Sequence, residues 1–172
     1  ATEKSKITDG KGVHFFGEDI CYEKKILNQK DLEIIKICVD NKVDFIGISF
    51  VREINEIFYV EEKIKDTSIE AFYKIETLEA LNNIDAILAL VNWAILDRGD
   101  LSSEIGILNL FKAVDRIIVS SEKNNVKLFI ATQILSSLET SNVPSISDIM
   151  DLQGLFTKNI WGFQFSDETA IG

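Results

Sequence analysis

Short apolar runs of strand length alternate with longer segments of helical period along most of the chain, and this alternation constrains the fold more than any other feature. Residues 44–50 (Asp-Phe-Ile-Gly-Ile-Ser-Phe) form one such run, and they follow 29–41, where Leu32, Ile34, Ile35, Cys38 and Val39 recur at helical spacing. Helical spacing returns over 53–65, with Ile54, Ile57, Phe58 and Ile64 set among Glu and Lys, and 71–75 then reads as a strand. Beyond it, 78–90 is helical in its first part, 93–96 is a short strand, and 107–124 is a long amphipathic helix closing on Lys-Asn-Asn. Residues 128–131 read as the fourth strand and 134–138 as helical. A polar loop around the single proline, Pro144, then leads to a helix over 147–156 and a last apolar strand over 161–165. Five strands separated by helices predict a parallel sheet, because parallel neighbours need the crossover connections that helices supply. Residues 1–28 lack strong period and contain Gly10, Gly12 and Gly17, so they read as an irregular lead-in to the βα units of 29–172, with no internal domain boundary.

Composition narrows the function classes. With 172 residues, 46% hydrophobic and 27% charged, the chain can bury a real core as one domain or as part of a larger one. A net charge of −10 argues against nucleic acid and against an anionic membrane surface as partners, since both call for a basic face. No apolar run approaches the roughly 20 residues of a spanning helix, and the polar first ten residues do not resemble a signal peptide, so the expected location is cytoplasmic. The first residue is Ala rather than Met, which suggests an excised or processed chain. Cys21 and Cys38, with the lone His14 in an aperiodic stretch, assemble neither a disulfide framework nor a zinc site and are expected to be free thiols.

Two architectures accommodate five βα units: an open doubly wound sheet, or five-eighths of a (β/α)8 barrel. There is no GxGxxG and no Walker-type loop, but periodicity alone leaves both open. In either one, functional side chains gather at the C-terminal ends of the strands. The polar residues placed there are Ser49 and Arg52, Lys74 and Glu76, Asp97 to Asp100, Thr132 and Gln133, and Ser166 to Thr169. Lys74 and Glu76 are two apart, which on an extended strand aims both at one face; a solvated Lys-x-Glu pair has the same spacing. Gly99 in Asp97-Arg98-Gly99-Asp100-Leu101 would let the backbone approach a ligand, or the segment is a surface turn. Glu76 and Asp100, at the ends of adjacent strands, would form an oxygen-rich site for a hard cation such as Mg2+. Thr132 and Gln133 could bind a ligand or cap the following helix. A lone His cannot be placed beside a Ser or Cys, which disfavours triad hydrolysis.

The order of these motifs resembles the pyruvate kinase family. It is carried by Lys11-Gly12-Val13-His14-Phe15-Phe16-Gly17, by 44–52 (Asp-Phe-Ile-Gly-Ile-Ser-Phe-Val-Arg), by Lys74-Ile75-Glu76, and by 98–105 (Arg-Gly-Asp-Leu-Ser-Ser-Glu-Ile). Ala131-Thr132-Gln133-Ile134-Leu135 and 166–172 (Ser-Asp-Glu-Thr-Ala-Ile-Gly) complete it. All six fall in the family's order, from about Lys11 to the end of the chain. The resemblance implies an incomplete (β/α)8 barrel of the TIM type whose strands are similar to the family's fourth to eighth. It also implies phosphoryl transfer from phosphoenolpyruvate to ADP, giving pyruvate and ATP. On that mapping Lys74, Thr132 and Glu168 are catalytic, with Glu168 in the network that protonates the enolate. Gly99 and Asp100 bind the substrate carboxylate through N–H groups that open a helix, and Thr132 hydrogen-bonds it. Glu76 and Asp100 hold Mg2+, with Mn2+ as a substitute.

Departures from the family pattern are equally specific. Asp97 and Tyr73 stand where the family has alanine, Thr77 replaces asparagine, and Ser102-Ser103 replaces Gly-Val. Asp167 replaces glycine, and Ser145-Ile146 replaces a Thr-Arg pair after Pro144. The family's potassium ligands and phosphate-binding arginine lie on strands that this chain does not match, so the expectation is a site completed by another chain or by those strands. Two other readings stay open: a non-catalytic relative that keeps the half-barrel as a binding module, and a metal-dependent lyase of pyruvate-like substrates.

Overall fold

The computed structural model describes residues 25–166. Helix α1 (Gln29–Asp40) begins with a reciprocal cap, in which the Asn28 side chain accepts from the Lys30 and Asp31 N–H groups while Asp31 accepts from the Asn28 N–H. The chain then passes through β1 (Phe45–Ile48), α2 (Ile54–Ile64), β2 (Glu70–Ile75), α3 (Leu78–Asn82), α4 (Ile84–Leu88), β3 (Trp93–Asp97), α5 (Arg98–Ile105), α6 (Ile107–Lys123), β4 (Lys127–Ala131), α7 (Ile146–Phe156) and β5 (Gly162–Gln164). The five strands lie side by side in chain order, and every neighbouring pair is parallel. A doubly wound sheet reverses its strand order at a switch point. This sheet has no reversal, so it is a stretch of barrel wall, an incomplete (β/α)8 unit.

Alternation along the strands separates two faces. Ala71, Tyr73 and Ile75 of β2, Ala94 and Leu96 of β3, and Leu128 and Ile130 of β4 are buried in one core with Ile57 and Val60 of α2, Ile84 and Ile87 of α4, and Ile117 of α6. Fully burying an aliphatic side chain of this kind contributes roughly 1.5–3 kcal/mol. Tyr73 lies in this layer, and its phenol donates to Glu61 at 2.7 Å; burial and the neighbouring carboxylate push its pKa far up. The residues between, on the opposite face, are aromatic toward the N-terminal ends of the strands. Phe72 meets Phe45, Trp93 and Phe129 with ring centroids 5.2, 5.0 and 5.4 Å apart, and the Lys127 ammonium sits 3.9 Å from the Trp93 ring centroid. Gly162 pairs with Phe129 across β4 and β5, and a Cβ built on it would lie 2.7 Å from the Phe129 ring. Gly162→Ala is therefore expected to destabilise the chain by about 1 kcal/mol or more, since overpacking forces side chains or backbone to shift. A denaturant midpoint equal to that of the unsubstituted chain would contradict this close packing.

Three segments differ from their sequence reading. The 78–90 pattern is two short helices broken at Asn83, whose ψ of 11° departs from helical backbone. The 134–138 segment is a 3-10 turn over Ser136–Glu139, because Thr132, Gln133 and Leu135 adopt positive φ (65°, 53° and 54°) and an α-helix cannot pass through left-handed residues. Finally, the segment that reads by itself as a surface turn is helix α5, which ends at Gly106 with φ 78°.

Candidate functional site

At the C-terminal ends of β2, β3 and β4 the alternation that buries aliphatic residues toward the helices turns polar residues to the other face. Lys74 lies on β2, and its ammonium is 2.8 Å from Glu76 Oε2 and 3.0 Å from Asp97 Oδ2. Glu76 follows β2 directly and is completely buried; its Oε1 accepts the Phe50 N–H at 2.7 Å. Phe50 reaches it because its own φ is 58°, so the chain bends sharply just past β1. Asp97 ends β3, Asp100 lies in the first turn of α5, and one carboxylate oxygen each from Glu76, Asp97 and Asp100 fall within 4.8 Å of one another. Among the described residues this is a three-carboxylate cluster facing one lysine, a donor set of hard oxygens suited to a divalent cation.

Thr132, just past β4, joins the same cluster. Its hydroxyl accepts the Gly99 N–H at 2.8 Å and lies 3.2 Å from Asp97 Oδ1. Gly99 permits this approach: a Cβ there would come 3.3 Å from Thr132 Oγ1. Arg98 locks the arrangement from behind. One guanidinium nitrogen donates to both Asp151 oxygens at 3.0 and 2.9 Å, and the other donates to the Thr132 and Gln133 carbonyls at 2.9 and 3.0 Å.

Burial by itself would lower the Lys74 pKa, but Glu76 and Asp97 outweigh it and leave the value above its ordinary 10.5. Burial pushes Glu76 above its ordinary 4.5, and the Lys74 ammonium and Phe50 N–H offset that only in part. Folding thus holds the Lys74 proton more tightly than the unfolded chain does. The stability this contributes is fully present below about pH 10.5 and is lost as pH rises through the higher folded value. Lys74→Met is expected to flatten that alkaline loss in urea midpoints measured from pH 8 upward; an unchanged slope would show that Lys74 is not the group responsible.

Lys74, Glu76, Gly99, Asp100 and Thr132 thus lie at one end of the sheet. Glu168 is outside the described residues, as are His14 and Cys21; Cys38 is a free, partly exposed thiol. The Arg52 guanidinium lies 3.5 Å from Glu56 Oε1 and its backbone N–H donates to Glu56 Oε2 at 2.6 Å, so Arg52 does not join the cluster. Two participants carry no assigned role in the sequence reading. Asp97 stands there among the polar residues after the third strand and as a departure from the family pattern, without a role, although Ile95 and Asp97 share a strand face and β3 neighbours β2, which places Asp97 beside Glu76. Arg98 stands in the same stretch, but its tethering role has no readable signal, because its four acceptor atoms come from 34 to 53 residues away.

A sequentially ordered parallel sheet with one lysine and three carboxylates at its C-terminal end defines a segment of (β/α)8 barrel with a charged mouth. Over residues 1–172 the chain matches the family model described as the barrel domain of pyruvate kinase. It is 30% identical over 169 residues to a pyruvate kinase of Candida albicans, covering 97% of this chain and 33% of that protein. It is 28% identical over 174 residues to pyruvate kinase 1 of Saccharomyces cerevisiae, covering 100% of this chain and 34% of the relative. The crystal structure of pyruvate kinase from Pyrobaculum aerophilum superposes with a TM-score of 0.82 at 24% identity, covering 89% of this chain and 38% of that one. The chain belongs to the pyruvate kinase family, and it spans about a third of the length of these curated relatives. Among the described residues no helix is long and apolar enough to cross a membrane.

Proposed function

We propose that this chain carries the metal- and enolate-facing side of a site that transfers a phosphoryl group from phosphoenolpyruvate to ADP, giving pyruvate and ATP, in the cytoplasm. The observation that carries the reading is the convergence of Lys74, Glu76, Asp100, Thr132 and the first turn of α5 at one end of the sheet. Such transfer depends on positioning and on neutralising charge more than on covalent chemistry by the protein. Lys74, held cationic by its carboxylate neighbours, would direct its ammonium at the transferring phosphoryl and at the enolate oxygen as charge grows there. Glu76 and Asp100 would hold Mg2+, or Mn2+ in its place, with Asp97 as a third oxygen within reach. That cation, when bound, supplies charge neutralisation between donor and acceptor phosphates. The Gly99 and Asp100 N–H groups and the Thr132 hydroxyl would receive the substrate carboxylate at the start of α5. Glu168 would belong to the group that protonates the enolate carbon. The family's K+ ligands and phosphate-binding arginine lie on strands this chain does not match, so the complete site calls for those strands or another chain. A charge of −10 favours neither nucleic acid nor an anionic membrane as partner.

One observation favours a non-catalytic module instead: the Asp97 carboxylate already engages the N–H groups assigned to substrate. A coupled assay decides between the two. ATP formed from phosphoenolpyruvate and ADP only with Mg2+, in the presence of the preceding barrel strands, and lost in Lys74→Met, carries the phosphotransferase reading. No ATP under any of these conditions leaves the binding module.

A further inference from the structure

Asp97 does more than end a strand. Its Oδ1 accepts the Gly99 N–H at 3.2 Å and the Asp100 N–H at 3.3 Å and lies 3.2 Å from the Thr132 hydroxyl, while its Oδ2 is 3.0 Å from the Lys74 ammonium. The residue is only 5% exposed. An aspartate that simply caps a helix satisfies one or two N–H groups with one oxygen and leaves the other to water. Here the second oxygen reaches across to β2, so one carboxylate engages the start of an eight-residue helix, a hydroxyl from the end of β4 and a partly buried ammonium. Those donors include the Gly99 and Asp100 N–H groups and the Thr132 hydroxyl, the groups that the proposed function assigns to a substrate carboxylate. A second anion would also meet three carboxylates against a single lysine.

We propose that the Asp97 carboxylate is an internal competitor, occupying the position a substrate carboxylate would take and setting how strongly the site accepts small carboxylate ligands. The inference rests on the assignment of that position to a substrate carboxylate. A tethered group acts at a high effective concentration without any entropy of association to lose, so it weakens every free competitor for the same donors. Substitutions that remove the carboxylate take Asp97 off the Gly99 and Asp100 N–H groups and leave Lys74 facing Glu76 and not Asp97, and they remove one of the three negative charges.

The test follows the Gly99 and Asp100 amide resonances of the full chain during titration with pyruvate, with and without Mg2+. Asp97→Ala is compared with Asp97→Ser, because serine also caps helices and preserves the start of α5 while lacking the carboxylate. In either variant these amides are expected to shift with half-saturation at a pyruvate concentration at least about tenfold lower than in the unsubstituted chain. A purely structural Asp97 would change stability without this gain. Equal titration of the unsubstituted chain, or no titration of a folded variant, overturns the proposal. Broadening by Mn2+ centred on Glu76 and Asp100 is read separately: pyruvate binding without it removes the metal assignment and leaves the proposal standing, and the reverse removes the proposal alone.

Discussion

The 172-residue chain by itself is expected to form ATP from phosphoenolpyruvate and ADP far below ordinary enzyme turnover, which is on the order of 10 per second. Lys74, Glu76, Asp100 and Thr132 can meet one side of a substrate. The proposed function assigns the phosphate-binding arginine and K+ ligands to other strands, and losing one donor that meets transition-state charge typically lowers the rate by a factor of about 100 to 1,000. On that assignment several such groups are missing together. The inner face of the sheet is also open, with Phe45 42% exposed and Trp161 59% exposed, so water would screen the remaining charges. Supplying the preceding strands in trans is expected to raise turnover at saturating phosphoenolpyruvate by at least about 100-fold, and Lys74→Met to abolish the gain. Turnover near 10 per second by the chain alone would show that this side of the barrel suffices and that the assignment of the other groups is wrong.

Arg98→Ala is expected to be the most damaging polar substitution for stability, lowering it by about 3 kcal/mol, which is large against the roughly 5–15 kcal/mol of a typical domain. Arg98 is 8% exposed and ties the start of α5 to the Thr132 and Gln133 carbonyls and to Asp151 of α7. Thr132 and Gln133 both hold positive φ, a conformation that costs on the order of 1–3 kcal/mol per residue and persists only where surrounding contacts enforce it. Removing the guanidinium leaves two carbonyls and a carboxylate without their donor and lets this turn relax, carrying the Thr132 hydroxyl away from Gly99. Lysine should not rescue the loss, because a single ammonium cannot serve both carbonyls and a carboxylate in the planar geometry of the fork. Urea unfolding with unchanged slope checks this; a loss under about 1 kcal/mol would mean that the turn is held by other contacts.

Helix caps show how local chemistry accommodates two residues that depart from the family pattern. Ser145, where the family pattern has Thr, caps α7 by accepting the Asp148 N–H at 3.1 Å. The Ser137 hydroxyl and N–H and the Ser145 N–H together hold the Asp148 carboxyl below its ordinary 3.8. Thr77 likewise caps α3, accepting from Ala80 at 3.1 Å and donating to the Val51 carbonyl at 3.0 Å. Neither substitution disturbs the lysine and carboxylate cluster. Tyr73 takes its larger volume into the helix-side core, on the face away from Lys74.

Local order was readable because it depends on neighbours in sequence. The periods of 29–41, 53–65 and 107–124 became α1, α2 and α6 within one or two residues at each end, and all five apolar runs became strands. The parallel arrangement followed from the same alternation, since five strands joined by helices have few other ways to pair. The segments that escaped were those governed by distant partners. Nothing local shows that Thr132, Gln133 and Leu135 turn left-handed, because Arg98 meets the first two carbonyls from 34 and 35 residues earlier in the chain. Helix α5 is only weakly amphipathic in pattern, and its first turn is organised by Asp97 and Thr132. What the amino-acid sequence determined by itself is therefore the succession of elements and the side of each strand that must be buried, through hydrophobic period and backbone propensity. Which charged groups meet was decided only by the tertiary structure: the side-by-side order of β2, β3 and β4 brings Lys74, Glu76, Asp97, Asp100 and Thr132 within a few ångströms, and electrostatic contacts at that range depend on distance in space, not on separation along the chain.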